Sequence, residues 1–321
     1  MSGSRNQRIV DAKIAGCCSN MQNRLPDARA RLIVADGRGR DGMDVVRQAL
    51  AEELGRAVRA LRRGNRSDRC IHDIRARLKH CRALLRLLRK SLGEDAYHRE
   101  NARLRDAARP LVGVRDAAVL VQALDGLRRR SGGGKIYRSI RSALRQECRE
   151  RRGQLHRKTL LSSAQLVGGV ARYMRMLPPS QPAAADLAKA VKRAYRTCRR
   201  AMTAAEQQRS RDRLHEWRKQ VKYFASQLKS LAPLMHRRLG KTYKKSIRLA
   251  DCLGDDHDLA LLHDKIIQHG RPGGAAVDAL VHRLAQRRAK LQRKAYRRGR
   301  ELFDATARRL EARVRHRLPR N

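Results

Sequence analysis

The chain has 321 residues, enough for two ordinary domains or one large one, and carries 77 Lys and Arg against 30 Asp and Glu, a formal charge of +47. Such a charge repels itself in a compact state and requires an anionic partner. Only 3% of the residues are aromatic, so the platforms on which single-stranded nucleic acid stacks are scarce and bare phosphate becomes the better fit. The cysteines at 17, 18, 70, 81, 148, 198 and 252 form no C-x-x-C pair and no zinc-finger spacing, which fits a reducing cytosol. Ile14-Ala15-Gly16-Cys17 has the look of a lipoprotein cleavage site, but Asp11 and Lys13 interrupt the apolar core that a signal would need. No apolar run reaches about 18 residues, so a soluble, cytoplasmic protein without a membrane span is expected.

Residues 1–41 mix basic residues with Gly, Asn and Ser and predict a disordered basic arm. From Met43 the pattern is helical: Val46, Ala49, Leu50, Leu54, Ala57, Val58 and Leu61 recur at intervals of three and four, until Gly64-Asn65 supplies a turn. Ser67 or Asp68 can cap the next helix, which runs to Leu92-Gly93. Further helices are predicted over 94–109, 115–130, 135–176, 183–209, 211–234, 236–252, 256–268 and 274–316, with no strand. Breaker-rich segments fall at Ser131-Gly132-Gly133-Gly134, Pro178-Pro179-Ser180-Gln181-Pro182 and Gly270-Arg271-Pro272-Gly273-Gly274.

The middle break separates similar halves. A shift of 143 residues lays Ile71-His72-Asp73-Ile74-Arg75 over Leu214-His215-Glu216-Trp217-Arg218, with Lys79 over Lys222. A shift of 142 lays Arg115-Asp116 over His257-Asp258. The chain therefore reads as a tandem repeat: a 1–41 arm, a first repeat over 42–177, a linker over 178–182 and a second repeat over 183–317.

Within each copy, Ile71, Ile74, Leu78, Cys81, Leu85 and Leu88 match Leu214, Trp217, Val221, Phe224, Leu228 and Leu231, the spacing of a buried bundle seam. One residue further round lies a basic row, His72, Arg75, Lys79, Arg82 and Arg86, answered by His215, Arg218, Lys222 and Lys229. Ala225 is the one gap in the second row, where the first has Arg82. Such a row extends about 21 Å at 1.5 Å per residue, a length that suits an extended phosphate chain, with inorganic polyphosphate as the leading ligand. Arg supplies a planar fork, Lys a mobile charge, and His a donor that gains charge beside a polyanion. A plain solvated face beside a core would look similar, but the row recurs at one spacing in both copies while residues between it differ, such as Arg77 against Gln220 and His80 against Tyr223. Asp116 and Asp258 are expected to act as N-caps or to orient a neighbouring cation, and Asp255-Asp256-His257-Asp258 to begin a capped helix rather than to hold a metal.

The doubled H-x-x-R-x-x-x-K helix, at His72, Arg75 and Lys79 and again at His215, Arg218 and Lys222, resembles the CHAD family, the conserved histidine α-helical domain. Gly113-Val114-Arg115-Asp116 resembles its G-x-R-D element, and Leu253-Gly254-Asp255-Asp256-His257-Asp258 its second-half counterpart. The resemblance covers about residues 43–317. It implies an all-α fold of two antiparallel four-helix-type bundles related by a pseudo-twofold axis around a central basic groove or pore. It further implies polyphosphate binding without catalysis or cofactor, often at intracellular polyphosphate granules. The contacts it implies are His72, Arg75, Lys79 and Arg82 in one half and His215, Arg218, Lys219 and Lys222 in the other; Arg86, Arg115, Lys229 and His257 complete the candidate set from the rows and the aligned pairs.

Two other readings compete. Any chain of charge +47 binds DNA or RNA at low salt through counterion release, which makes nucleic acid the main rival partner. An enzyme would need a phosphorylated His72 or His215, since the E-x-E-x-K motif of triphosphate-cleaving relatives is missing and Gly240-Lys241-Thr242 lacks the first glycine of a P-loop. The sequence sets no oligomeric state.

Overall fold

The computed structural model describes residues 42–128, 134–177, 184–235, 239–269 and 274–315, so the 1–41 arm and the 178–182 linker lie outside the described residues. The described residues are all-α, with no strand among them. Helix α1 (Gly42–Arg63) ends at Gly64, whose φ of +70° is strained for any residue with a side chain and whose N–H bonds Leu61 O at 3.2 Å. Ser67 caps α2 (Asp68–Leu87), its Oγ accepting from the Cys70 N–H at 3.3 Å. The chain resumes in the short α3 (Arg89–Leu92), turns at Gly93 (φ +78°), and enters α4 (Glu94–Ala108), whose first turn carries Glu94 and Asp95 where the helix dipole favours acids. A 3₁₀ turn over Arg109–Leu111 leads straight into α5 (Val112–Arg128).

There follow α6 (Lys135–Gly153), α7 (Arg157–Met176), α8 (Ala184–Gln207), α9 (Arg211–Met235), α10 (Gly240–His269), α11 (Ala275–Phe303) and α12 (Ala307–Arg315). Four expected boundaries change. The helix predicted to run to Leu92-Gly93 is two, α2 and the short α3, interrupted at Leu88. The helix predicted over 135–176 is two, α6 and α7, turning through Gln154–His156 with Leu155 buried in the core. The one predicted over 274–316 breaks before α12, where Thr306 Oγ1 accepts from the Arg309 N–H at 3.2 Å. Conversely, the two predicted over 236–252 and 256–268 are the single α10. Its acidic stretch is held by the next helix: the Asp256 carboxylate accepts from Arg288 Nε at 3.1 Å and Gln292 Nε2 at 3.0 Å on α11.

Both predicted seams are buried throughout, from Ile71 to Leu88 and from Leu214 to Leu231. Each large apolar side chain so removed from water contributes about 1.5–3 kcal/mol relative to exposure, before the entropy of ordering it is counted. One core joins α1, α2, α4 and α7 to α8, α9, the first part of α10, the end of α11 and α12, so residues from both sequence repeats share it. A second core joins α5 and α6 to the later part of α10 and the first part of α11.

Two contacts fix α9. Trp217 stacks on Tyr296 of α11, ring centroids 5.3 Å apart at 23°. A Cβ added at Gly299 would fall 2.6 Å from Met202 Sδ and 2.8 Å from Trp217 Cζ2, so this approach of α11 requires glycine. On its other side α9 packs along α2, where Gln227 Nε2 donates to Ala83 O at 3.2 Å and His80 hydrogen-bonds Ser226 Oγ at 2.6 Å and Ser230 Oγ at 3.2 Å.

Candidate functional site

Because the basic rows are set about 100° round from the buried seams, burying the seams turns both rows away from the core. They meet in one cavity of about 470 Å³, lined by α2, α9, α5 and α10. Of the predicted residues, His72, Arg75, Lys79, Arg82, His215, Arg218, Lys219, Lys222, Lys229 and His257 all line it. Arg86 does not; its guanidinium lies 3.6 Å from the centroid of the Tyr223 ring. Arg115 sits in the first turn of α5, and its side chain falls outside the described residues.

The two aspartates do something other than capping. Because α5 begins at Val112 and α10 runs through without a break, neither Asp116 nor Asp258 starts a helix. Instead Arg75 Nη2 lies 3.7 Å from Asp116 Oδ1, and Arg218 Nη2 lies 3.8 Å from Asp258 Oδ1. These are aligned positions of the two repeats, so each half tethers its central arginine to the helix opposite. The tether fixes one face of the guanidinium fork and leaves others to a ligand. Arg218 Nε is buried with no hydrogen-bond partner among the described residues, a donor whose desolvation a phosphate oxygen would offset.

The surrounding electrostatics suit an anion. Lys79, His215 and Lys219 are exposed, while Lys222 is half-buried. Burial, together with Arg218 and Lys79, pushes the Lys222 ammonium well below the usual lysine range. His257 is pushed down to about 3, first by burial and then by Arg218 and His215, and His215 is lowered by burial, Arg218 and Lys219. The two imidazoles face each other, Nδ1 to Nδ1 at 3.4 Å. An arriving polyanion would draw protons onto these groups, converting crowded bases into cations.

Several lining residues escaped the sequence reading. His80 and Tyr223, which lie between the rows in sequence, both line the cavity. Burial keeps His80 neutral, and because Ser230 Oγ donates to Ser226 O at 3.2 Å, the neutral ring donates from Nε2 to Ser230 and accepts at Nδ1 from Ser226. Burial pushes it down to about 4. Tyr243, Ile247, Ala250 and Asp251 come from the early part of α10, and Val112 and Val119 from α5. The repeat alignment, which pairs His80 with Tyr223 across the halves, was a signal for those two alone; the residues from α5 and the early part of α10 carried none.

No described helix is long and apolar enough to cross a membrane. A comparison with curated proteins returned no match. The CHAD domain family model matches the chain over residues 41–266, a span that includes every cavity-lining residue and ends before α11 begins.

Proposed function

Since this chain belongs to the CHAD domain family, we propose that it binds inorganic polyphosphate along the α2–α9 cavity and holds it without chemical change. The observation that carries this reading is convergence: eleven cationic or imidazole side chains from three helices line one cavity, and within it Arg218 Nε lacks an acceptor among the described residues. Arg75 and Arg218 grip phosphate oxygens from their tethered positions, and the lysines neutralise the chain on either side. The protein acts at intracellular polyphosphate granules, a location drawn from the family resemblance.

Competition at physiological salt between long-chain polyphosphate and duplex DNA or RNA, matched per phosphate, tests the ligand. Polyphosphate should win; nucleic acid winning would make this a nucleic-acid-binding protein, and release of orthophosphate would make it an enzyme. In the same assay Arg75→Gln with Arg218→Gln should cost about a hundredfold in affinity, from two charge-assisted bonds of at least about 1.5 kcal/mol each. Arg5→Gln with Arg8→Gln in the arm should cost less than about threefold. Equal losses would mean that net charge alone does the binding.

A further inference from the structure

The cavity is chemically lopsided. Under the repeat alignment, Arg82 corresponds to Ala225, Asn101 to Tyr243 and Arg105 to Ile247. In the first half, Arg82 Nε donates to Asn101 Oδ1 at 2.9 Å, and neither Asn101 nor Arg105 contributes to the cavity lining among the described residues. In the second half the arginine is reduced to a methyl group, and Tyr243, Ile247 and Ala250 line the same cavity, together with Asp251. A hydrated phosphate chain gains nothing from carbon walls, whereas an organic ring attached to one does.

We propose that the cavity also accepts a nucleoside oligophosphate, with its phosphates on the cationic rows and its base in a side lobe walled by Ala225, Tyr243, Ile247 and Ala250. This rests on the phosphate-binding reading of the rows. The lobe adjoins its anchors: Lys222 and Lys229 lie three residues before and four after Ala225 on α9, one helical turn to either side, and both line the cavity. Its few carbon-lined positions suit one flat ring system and are too small for a long acyl chain. Tyr243 supplies the stacking surface. The other cavity tyrosine, Tyr223, already carries the Arg86 guanidinium 3.6 Å from its ring centroid.

Calorimetric titration of the full chain with ATP and with inorganic tripolyphosphate, without divalent cations and at one ionic strength, separates the two layers of the argument. ATP should bind at least as tightly as tripolyphosphate although it carries less negative charge. Tyr243→Ala should weaken ATP about tenfold, the scale of one lost stacking contact, and leave tripolyphosphate within about twofold. Ala225→Arg, which fills the lobe and adds a cation, should weaken ATP while tripolyphosphate holds or tightens. Tripolyphosphate binding more tightly than ATP, with a ratio that neither substitution moves, would overturn the nucleoside lobe and leave the phosphate reading standing. Failure of both probes and of long-chain polyphosphate would overturn the two together.

Discussion

Helix α2 presents His72, Arg75, Lys79 and Arg82 to the cavity, whereas α9 presents His215, Arg218 and Lys222 and then Ala225. The central arginines are alike in partner and distance but differ in setting. Asp116 is 45% exposed at its side chain and Asp258 13%, so one tether lies at the cavity mouth and the other is nearly sealed. Recurrence of the ion pair at aligned positions indicates what the cavity needs, and divergence around it indicates what each half can vary. The constant part is a held guanidinium, and the variable part is the wall next to it.

The largest effect should come from breaking the two tethers separately. Arg218→Gln takes the guanidinium from the nearly sealed Asp258 and should cost about 3 kcal/mol of stability, because removing one partner of a largely buried pair is strongly destabilising. Arg75→Gln leaves Asp116 in contact with water and should cost less than about 1 kcal/mol. Urea denaturation of both variants measures the difference, and equal costs would show that the halves are electrostatically equivalent.

A somewhat smaller effect should follow acidification. His80 clamps α2 to α9 as a neutral ring, surrounded by Glu53, Arg77 and Lys229, and α9 has Tyr223 rather than an imidazole at the aligned position. With its folded pKa near 4 against 6.5 in the unfolded chain, the unfolded state binds the extra proton first. The contribution is whole above about pH 6.5 and is lost as pH falls toward 4. At pH 5 the loss is on the order of 2 kcal/mol, and His80→Gln should remove that part of the pH dependence. Denaturation at pH 7.5 and pH 5 measures it; identical acid sensitivity in the variant would place the titration elsewhere, with His257 the next candidate.

The smallest effect tests the α2–α9 contact itself. Gln227 is buried with Oε1 unpartnered, and the aligned residue is Leu84. Gln227→Leu gives up one hydrogen bond and relieves one unsatisfied acceptor, so the net change should stay within about 1 kcal/mol in a thermal melt.

The sequence disclosed the seams and rows because both are periodic: a face that must be buried repeats every three or four residues, and its neighbour at 100° repeats with it. It disclosed the end of α1 and the start of α2 because Gly64 and Ser67 act locally. It could not disclose that α10 is continuous. Gly254 and three aspartates look like a helix boundary when read locally, but Asp256 bonds α11 and Asp258 pairs with α9, partners that lie more than thirty residues away in the chain. The same limit hid Tyr243 and Ile247, whose place in the cavity is set by how α10 docks on α9 rather than by any motif.

Trp217 is the chain's single tryptophan, and its immediate neighbour is Arg218. Its indole is fully buried against Tyr296, its Nε1 meets no acceptor among the described residues, and the glycine at 299 lets α11 close over it. The protein thus has one indole chromophore, kept dry, on the same turn of helix as the Arg218 guanidinium that lines the cavity. Its emission should be blue-shifted and free of background from any second indole, so that any shift of α9 when polyphosphate is added would be visible as a change of colour in the unlabelled molecule.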